Sequence, residues 1–278
     1  MASTYQQLIG LHRAEFNKAA DLQSKILIAQ AALAIIAVLA VFTSDARTAY
    51  GCAVISCIAA GCWIWLWLKF KESRSLAERV RRLTLMAEDL GLEVSKAELL
   101  QIKASFSVSD QEAERLADPN YYDVAGTPGP ARLAEKLEQS AFWSAFLLRK
   151  SAEQVLVYLA VPVIFIAALL LSIPLLEADW GLAGARVACA AILFPLSTDF
   201  LGAYIGYRSA AQEVDQVLAR LRTARVAGYQ LPDVLTIMGD YNAAVEAAPM
   251  FARGVYEKHN NRLNDLWSQY RKAGRQEV

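Results

Sequence analysis

The feature that most constrains this chain is a series of long apolar runs without charge. Ile26 to Thr43 contains no charged residue and, as an α-helix, is long enough to cross about 30 Å of hydrocarbon. A second uncharged run, Ala49 to Leu68, follows a short polar link that contains Asp45 and Arg47. The two runs therefore predict a transmembrane hairpin.

A second hairpin is predicted in the later half of the chain. Val155 to Leu176 forms the third apolar run, and a short acidic link leads to the fourth, Leu182 to Tyr204, which contains Arg186, Pro195 and Asp199. The mean hydropathy is +0.26 and 55% of the residues are hydrophobic. Because these residues are concentrated in a few long runs, membrane spans are favoured over one large soluble core.

The positions of lysine and arginine predict the orientation of the spans. Basic residues are frequent before the first span, between the second and third spans and after the fourth, whereas Arg47 is the only basic residue in the two short links. The positive-inside rule then places both termini and the central segment in the cytoplasm. The predicted regions are an N-terminal cytoplasmic helix (1–25), transmembrane hairpin 1 (26–68), a cytoplasmic helical insert (69–154), transmembrane hairpin 2 (155–205) and a C-terminal cytoplasmic helical region (206–278).

The predicted fold class is therefore all-α. It is an integral membrane protein with four transmembrane helices in two hairpins, and its helical cytoplasmic domain is built from the central insert and the C-terminal tail. The second span is expected to continue into an amphipathic helix, and Ser95 with Glu98 forms a capping-box pattern that predicts a new helix start. In the tail, Val214, Val217 and Leu221 predict one apolar helix face, and prolines at 232 and 249 predict breaks.

The end of the second span carries an aromatic and basic belt typical of a membrane interface. A nearby basic run is expected to contact lipid headgroups, with a phosphate site as the alternative. The predicted membrane-surface anchors are Trp63, Trp65, Trp67, Lys69, Lys71, Arg81 and Arg82.

Three short motifs carry a resemblance to a known family. They are "LADPNYYDV" with Asp118, Tyr121, Tyr122 and Asp123, then "EKLEQSAFWSAFLLRKSA" with Trp143 and Arg149, and a tail with Asp240, Pro249 and Tyr256. In this order, between and after four spans, the chain resembles the SMODS-associated four-transmembrane effectors. That family is encoded beside cyclic-oligonucleotide synthases in bacterial anti-phage operons of the CBASS type. In its Cys-Gln-Arg-like triplet, the chain keeps Gln139 alone.

The resemblance implies a bacterial inner-membrane effector that a cyclic oligonucleotide activates. Its expected action is to form homo-oligomers in the lipid bilayer and to permeabilise or depolarise it. A constitutive channel or transporter subunit and a membrane-anchored scaffold are the alternatives. Since the formal net charge is zero, it gives no evidence for a polymeric nucleic acid partner, and we expect none.

Aromatic faces beside arginines suit the binding of a nucleobase. The candidate ligand-binding residues are Tyr121, Tyr122, Arg132, Trp143 and Arg149. The alternative is that the two tyrosines anchor their loop onto helices and that Trp143 lies at the membrane surface.

The fourth span contains the candidate pore or gate residues, Asp199 and Pro195. An acid within a bilayer is costly, and rings of carboxylates line many cation channels. A proline in a helix leaves a carbonyl without its usual partner and can kink the span. The alternative for Asp199 is an interhelical hydrogen bond, or one to Ser197 or Thr198.

Neither a metal site nor an enzyme is predicted. Cys52, Cys57 and Cys62 are five residues apart, which fits no zinc or disulfide pattern, and His12 and His259 are far apart in sequence. No nucleophile–base pair or phosphate-binding loop is recognisable. The expected cofactor set is therefore empty, apart from the cyclic oligonucleotide as an activating ligand.

Overall fold

A computed structural model describes residues 4–43, 45–118, 124, 126–175, 181, 184–185, 187–188, 192 and 199–276. All regular secondary structure within these ranges is helical, which confirms the all-α fold class. The helices are α1 (Thr4–Val41), α2 (Ala46–Asp89), α3 (Lys96–Ser105), α4 (Asp110–Leu116), α5 (Pro130–Ser172), α6 (Phe200–Val226), α7 (Leu231–Ala247) and α8 (Val255–Gln276). A 3₁₀ turn, Ile173–Leu175, follows α5 directly.

Helices α1, α2 and α5 are each long and apolar enough to cross a membrane. Between 0 and 17% of the residues in their apolar stretches are buried within the chain, so most of these side chains need a non-aqueous surrounding. Helix α2 is continuous over 44 residues, as expected for a second span that runs on into an amphipathic helix. Most of the predicted fourth span, Leu182 to Tyr204, lies outside the described residues.

The chain divides into two compact units. We call Met1–Ala19, Glu72–Ala152 and Gly206–Val278 the helical body, and Ala20–Lys71 with Glu153–Ile205 the apolar unit. Helices α1, α2, α5 and α6 each contribute residues to both units. The helical body therefore combines the N-terminal helix, the central insert and the tail, which are far apart in sequence.

The core of the helical body follows from helical periodicity. The apolar face predicted for the tail is buried in α6, where Val214, Val217 and Leu221 are at most 2% exposed. Helix α7 begins with Pro232 in its first turn, where a proline needs no amide hydrogen, and α7 ends before Pro249. The amide of Glu98 donates to the Ser95 hydroxyl over 3.1 Å, so the predicted start of α3 is confirmed.

Helix α4 packs closely against α1 at a glycine. A Cβ atom on Gly10 would lie 2.0 Å from the carbonyl oxygen of Ala113, a distance that no real contact allows. Ala113 is the buried residue of α4, so the short helix docks on α1 mainly at this position. Glycine at position 10 therefore permits the approach of the two backbones.

We predict that Gly10→Ala destabilises the helical body by about 1–3 kcal/mol, because the clash is with backbone and α4 must shift. The matched control is Gly239→Ala, since Gly239 lies within α7 and a Cβ there would meet nothing within 4 Å. That control should be stabilising by about 0.5–1 kcal/mol. Denaturant unfolding of the full chain in detergent measures both, and equal effects of the two substitutions would contradict the close contact.

Candidate functional site

A group of polar and aromatic side chains in the helical body brings together four separate segments. We call Arg13, Asp118, Trp143 and Tyr256 the Arg13 cluster. Arg13 lies on α1, Asp118 follows α4, Trp143 lies on α5 and Tyr256 lies in the first turn of α8. The last three belong one each to the three motifs that carry the family resemblance, so the fold gathers residues that are as much as 138 positions apart (256 minus 118).

Arg13 forms the polar centre of this cluster. Its Nη1 donates a 2.7 Å hydrogen bond to the carbonyl oxygen of Leu116, the last residue of α4. The same nitrogen lies 3.9 Å from the Asp118 carboxylate, at the outer limit of an ion pair. About a third of the Arg13 side chain is exposed, as is nearly half of that of Asp118, so water reaches the pair.

The aromatic side of the cluster is formed by Trp143 and Tyr256. Their ring centroids are 6.2 Å apart at an interplanar angle of 40°. Trp143 packs on a buried group that includes Leu147, Val255 and Leu263, whereas Tyr256 is 44% exposed. The indole Nε1 of Trp143 is buried and finds no hydrogen-bond partner among the described residues. The exposed ring of Tyr256 therefore presents an aromatic face to solvent.

The charges of the cluster act on the Tyr256 hydroxyl. Burial raises the pKa of this phenol above its usual value, and Glu257 and Asp118 raise it further. Arg13 opposes them by favouring the phenolate. Tyr256 is therefore a neutral donor or acceptor near pH 7, and its ring lies within the field of both Arg13 and Asp118.

The other predicted ligand residues lie elsewhere. Tyr121 and Tyr122 are outside the described residues. Arg149 forms an exposed ion pair with Asp215 on α6. Arg132 and Arg149 are 17 positions apart on α5 (149 minus 132), which is about 25 Å along a helix, so one small ligand cannot contact both.

Arg132 belongs to a buried ionic network. Its Nε lies 3.3 Å from Asp89, and Lys136, which is 1% exposed, places its Nζ 3.0 Å from the same carboxylate. Both cations also contact Glu88, and the Lys136 ammonium lies 5.2 Å from the ring centre of Tyr5. Burial raises the pKa of Asp89, and Lys136 opposes this rise. Two cations balance two carboxylates here, which leaves little attraction for a phosphate.

The predicted membrane anchors separate into two groups. Trp65 and Trp67 are exposed, and the Lys71 ammonium lies 5.5 Å from the ring centre of Trp67, as the predicted belt requires. Trp63 is half-buried in the same helix, and Lys69 is exposed there.

Arg81 and Arg82 instead contact other helices of the body. Arg81 is 11% exposed, donates 2.8 Å to Glu78 and 3.0 Å to Asn242, and Arg82 pairs with Glu246. These contacts fit packing between α2 and α7 better than a headgroup contact.

Asp199 has a local structural role that the sequence interpretation did not include. It lies in a turn with φ of +49°, and its carboxylate accepts a 3.1 Å hydrogen bond from the Gly202 amide, as an N-cap does. A Cβ on Gly202 would lie 2.3 Å from that carboxylate. Helix α6 begins at Phe200, directly after this turn. The other predicted gate residue, Pro195, lies outside the described residues, as do Ser197 and Thr198.

Two functional candidates were missed by sequence reasoning. Arg13 is one of several basic residues in the first half of α1, and no local pattern distinguishes it from Lys18. Arg74 donates to the carbonyls of Val245 and Glu246, at 3.3 and 3.1 Å, and also to that of Ala248 at the end of α7. A cation at this end of a helix offsets its dipole, but the pairing depends on residues 171 to 174 positions away.

No protein-family model, curated protein or solved structure matches this chain. Within the part of the chain that the structure describes, no group of three or more His, Cys, Asp or Glu side chains could hold a metal ion. The geometry of the Arg13 cluster is therefore the main evidence for a binding site.

His12, which precedes Arg13 on α1, gives a pH prediction. It is buried, and burial, with Arg81 and Arg13 adding, lowers its pKa from 6.5 to about 3, while the Leu8 carbonyl opposes. The unfolded chain therefore binds a proton that the folded chain excludes between these two values. Stability should be fully present above about pH 6.5 and should fall as the pH decreases toward 3.

We expect His12→Gln to flatten this pH dependence, because glutamine does not titrate and can still donate to Leu8. The measurement is the denaturant midpoint of the full chain in detergent from pH 7 to pH 4. His259→Gln is the matched control and should keep the slope of the wild type. Parallel curves for wild type and His12→Gln would show that another group causes the acid sensitivity.

Proposed function

We propose that this protein is a bacterial inner-membrane effector that a cyclic oligonucleotide activates and that oligomerises to permeabilise or depolarise the membrane. The proposed topology has four spans with both termini in the cytoplasm. The observations that support the proposal are that Asp118, from the first resembling motif, lies 3.9 Å from Arg13 and that Trp143 and Tyr256, from the other two motifs, are in ring contact. Arg13 belongs to the same helix as the first predicted span.

The helix boundaries support a link between ligand and membrane. Four helices contribute residues to both units, and these helices are the route by which a ligand would act on the spans. Four spans in one chain are few for a water-filled pore, and several copies would have to assemble. Ligand control is then a shift between closed and open assemblies, which requires the ligand to bind one of them better.

A second candidate is a membrane-anchored scaffold, and the position of Asp199 favours it. A carboxylate that caps α6 explains the presence of an acid in this apolar stretch without any role in conduction. Under this alternative the helical body recruits a partner and the spans serve as an anchor.

The first test measures membrane potential in cells that express the protein with or without an active cyclic-oligonucleotide synthase. We expect depolarisation only with the active synthase. Arg13→Gln should abolish it, and Arg79→Gln, which removes an exposed arginine of α2, should not. Depolarisation without a synthase would favour a constitutive channel. A steady potential while cells die would contradict the pore.

Two substitutions of Asp199 distinguish the effector function from the scaffold function. Asparagine caps helices as well as aspartate does but carries no charge, whereas alanine loses the cap at a cost of about 1 kcal/mol. If the carboxylate lines a conducting path, Asp199→Asn should reduce depolarisation at equal expression. If Asp199 serves only as a cap, the asparagine variant should behave as wild type, and the alanine variant alone should lose thermal stability in detergent.

A further inference from the structure

The segment that joins α7 to α8 is held by its own backbone groups. We call this segment, Ala248–Gly254, the strap. Arg74 of α2 donates a hydrogen bond to the carbonyl oxygen of Ala248. Two residues later, the carbonyl oxygen of Met250 accepts a hydrogen bond from the buried Tyr207 hydroxyl of α6. Two helices therefore hold the strap through its carbonyls.

A third helix holds the strap through an amide. Ala252, two residues after Met250, donates over 2.9 Å to the hydroxyl of Ser151, a fully buried residue of α5. Glycine at position 206 lets the strap approach α6 closely, since a Cβ there would lie 3.0 Å from Cδ of Pro249. Water commonly satisfies the backbone groups of loops, because loops run over the surface. In the strap, side chains of α2, α5 and α6 do so instead, at every second residue.

The three side chains that hold the strap share a position along their helices. In the helical body, Arg74 is the third residue of the α2 part, which begins at Glu72. Tyr207 is the second residue of the α6 part, and Ser151 is the second to last residue of the α5 part. Along the chain, each helix passes into the apolar unit directly beyond these residues. The strap therefore connects three helices at the points where they leave the helical body.

We propose that the strap is a latch that fixes the spacing of α2, α5 and α6 where they leave the helical body, and that these helices rearrange only after its release. This inference goes beyond the proposed function, because it does not depend on which ligand or partner the body binds. The three polar contacts are hydrogen bonds that water can replace, so the strap can open while the helices stay folded. Phe251 packs on the buried group that includes Leu147 and Val255, which would keep a released strap near its place.

The first test determines whether the strap opens as one unit, by hydrogen exchange of the full chain in nanodiscs, resolved to single amides. Tyr207→Phe removes the hydroxyl that donates to Met250 and keeps the buried ring. We expect this substitution to speed exchange of the Ala252 amide about fivefold or more, the effect of one lost hydrogen bond. Unchanged exchange at Ala252 would show that the contacts open independently, which would overturn the latch.

The second test determines whether the strap controls the spacing of the helices. Spin labels at Ser75 of α2 and Ser209 of α6, both exposed residues, report the distance between two of them once the four native cysteines are replaced by alanine. Ser151→Ala changes neither labelled helix and removes the acceptor of the Ala252 amide. We expect it to broaden or shift the distance distribution in nanodiscs. A distribution that stays as in the wild type while strap exchange rises would refute control of the helices by the strap.

Ser144→Ala is the matched control for both measurements. Ser144 is also a buried serine of α5, and its hydroxyl oxygen lies 3.0 Å from that of Tyr241 on α7, away from the strap. It should leave strap exchange and the distance between the labels as in the wild type. The same changes in Ser144→Ala and Ser151→Ala would mean that any weakening of α5 has these effects, and the latch would be wrong. Neither measurement uses a synthase or the membrane potential, so the latch and the effector function are tested separately.

Discussion

Length and apolar composition allow α1, α2 and α5 to cross a membrane, and a bilayer, which excludes water, would favour such continuous helices. Every backbone amide and carbonyl within hydrocarbon must form its hydrogen bond with another group of the protein, and a helix meets this requirement within a single segment. Helix α1 has 38 residues and α2 has 44, which corresponds to about 57 and 66 Å, roughly twice the thickness of the hydrocarbon core. The excess length needs other partners, and it forms part of the helical body.

The helical body in turn depends on charges that are paired across helices. Lys136 is almost fully buried, and its ammonium is acceptable there because Glu88 and Asp89 surround it. The Arg74 guanidinium likewise donates to the carbonyls at the end of α7. Carboxylates also pair with the basic residues that the sequence offered for a ligand or a headgroup, namely Arg81, Arg82, Arg132 and Arg149. Arg13 also has a carboxylate nearby, since Asp118 lies 3.9 Å from its guanidinium.

What the sequence predicts well is what depends on composition and local spacing. Hydropathy identifies the first three apolar helices, and Ser95 with Glu98 gives the start of α3. Prediction from sequence fails where a contact depends on the path of the backbone. Hydropathy treats Asp199 as a charge within a span, but its role as a cap follows from a positive φ and from the space left by Gly202. The contact between Arg81 and Asn242 could not be predicted, because the residues are 161 positions apart and no periodic pattern joins them.

The docking of α4 on α1 has the properties of a switch. Helix α4 has seven residues, too few to be stable as an isolated helix, and Ala113 is its buried residue. The backbone approach at Gly10 and the hydrogen bond from Arg13 to Leu116 both hold it against α1, while Lys103 of α3 lies 3.8 Å from Asp110 at its start. A ligand that engages Arg13 acts on one of these contacts directly, and its effect is limited by the difference in its affinity for the docked and released states.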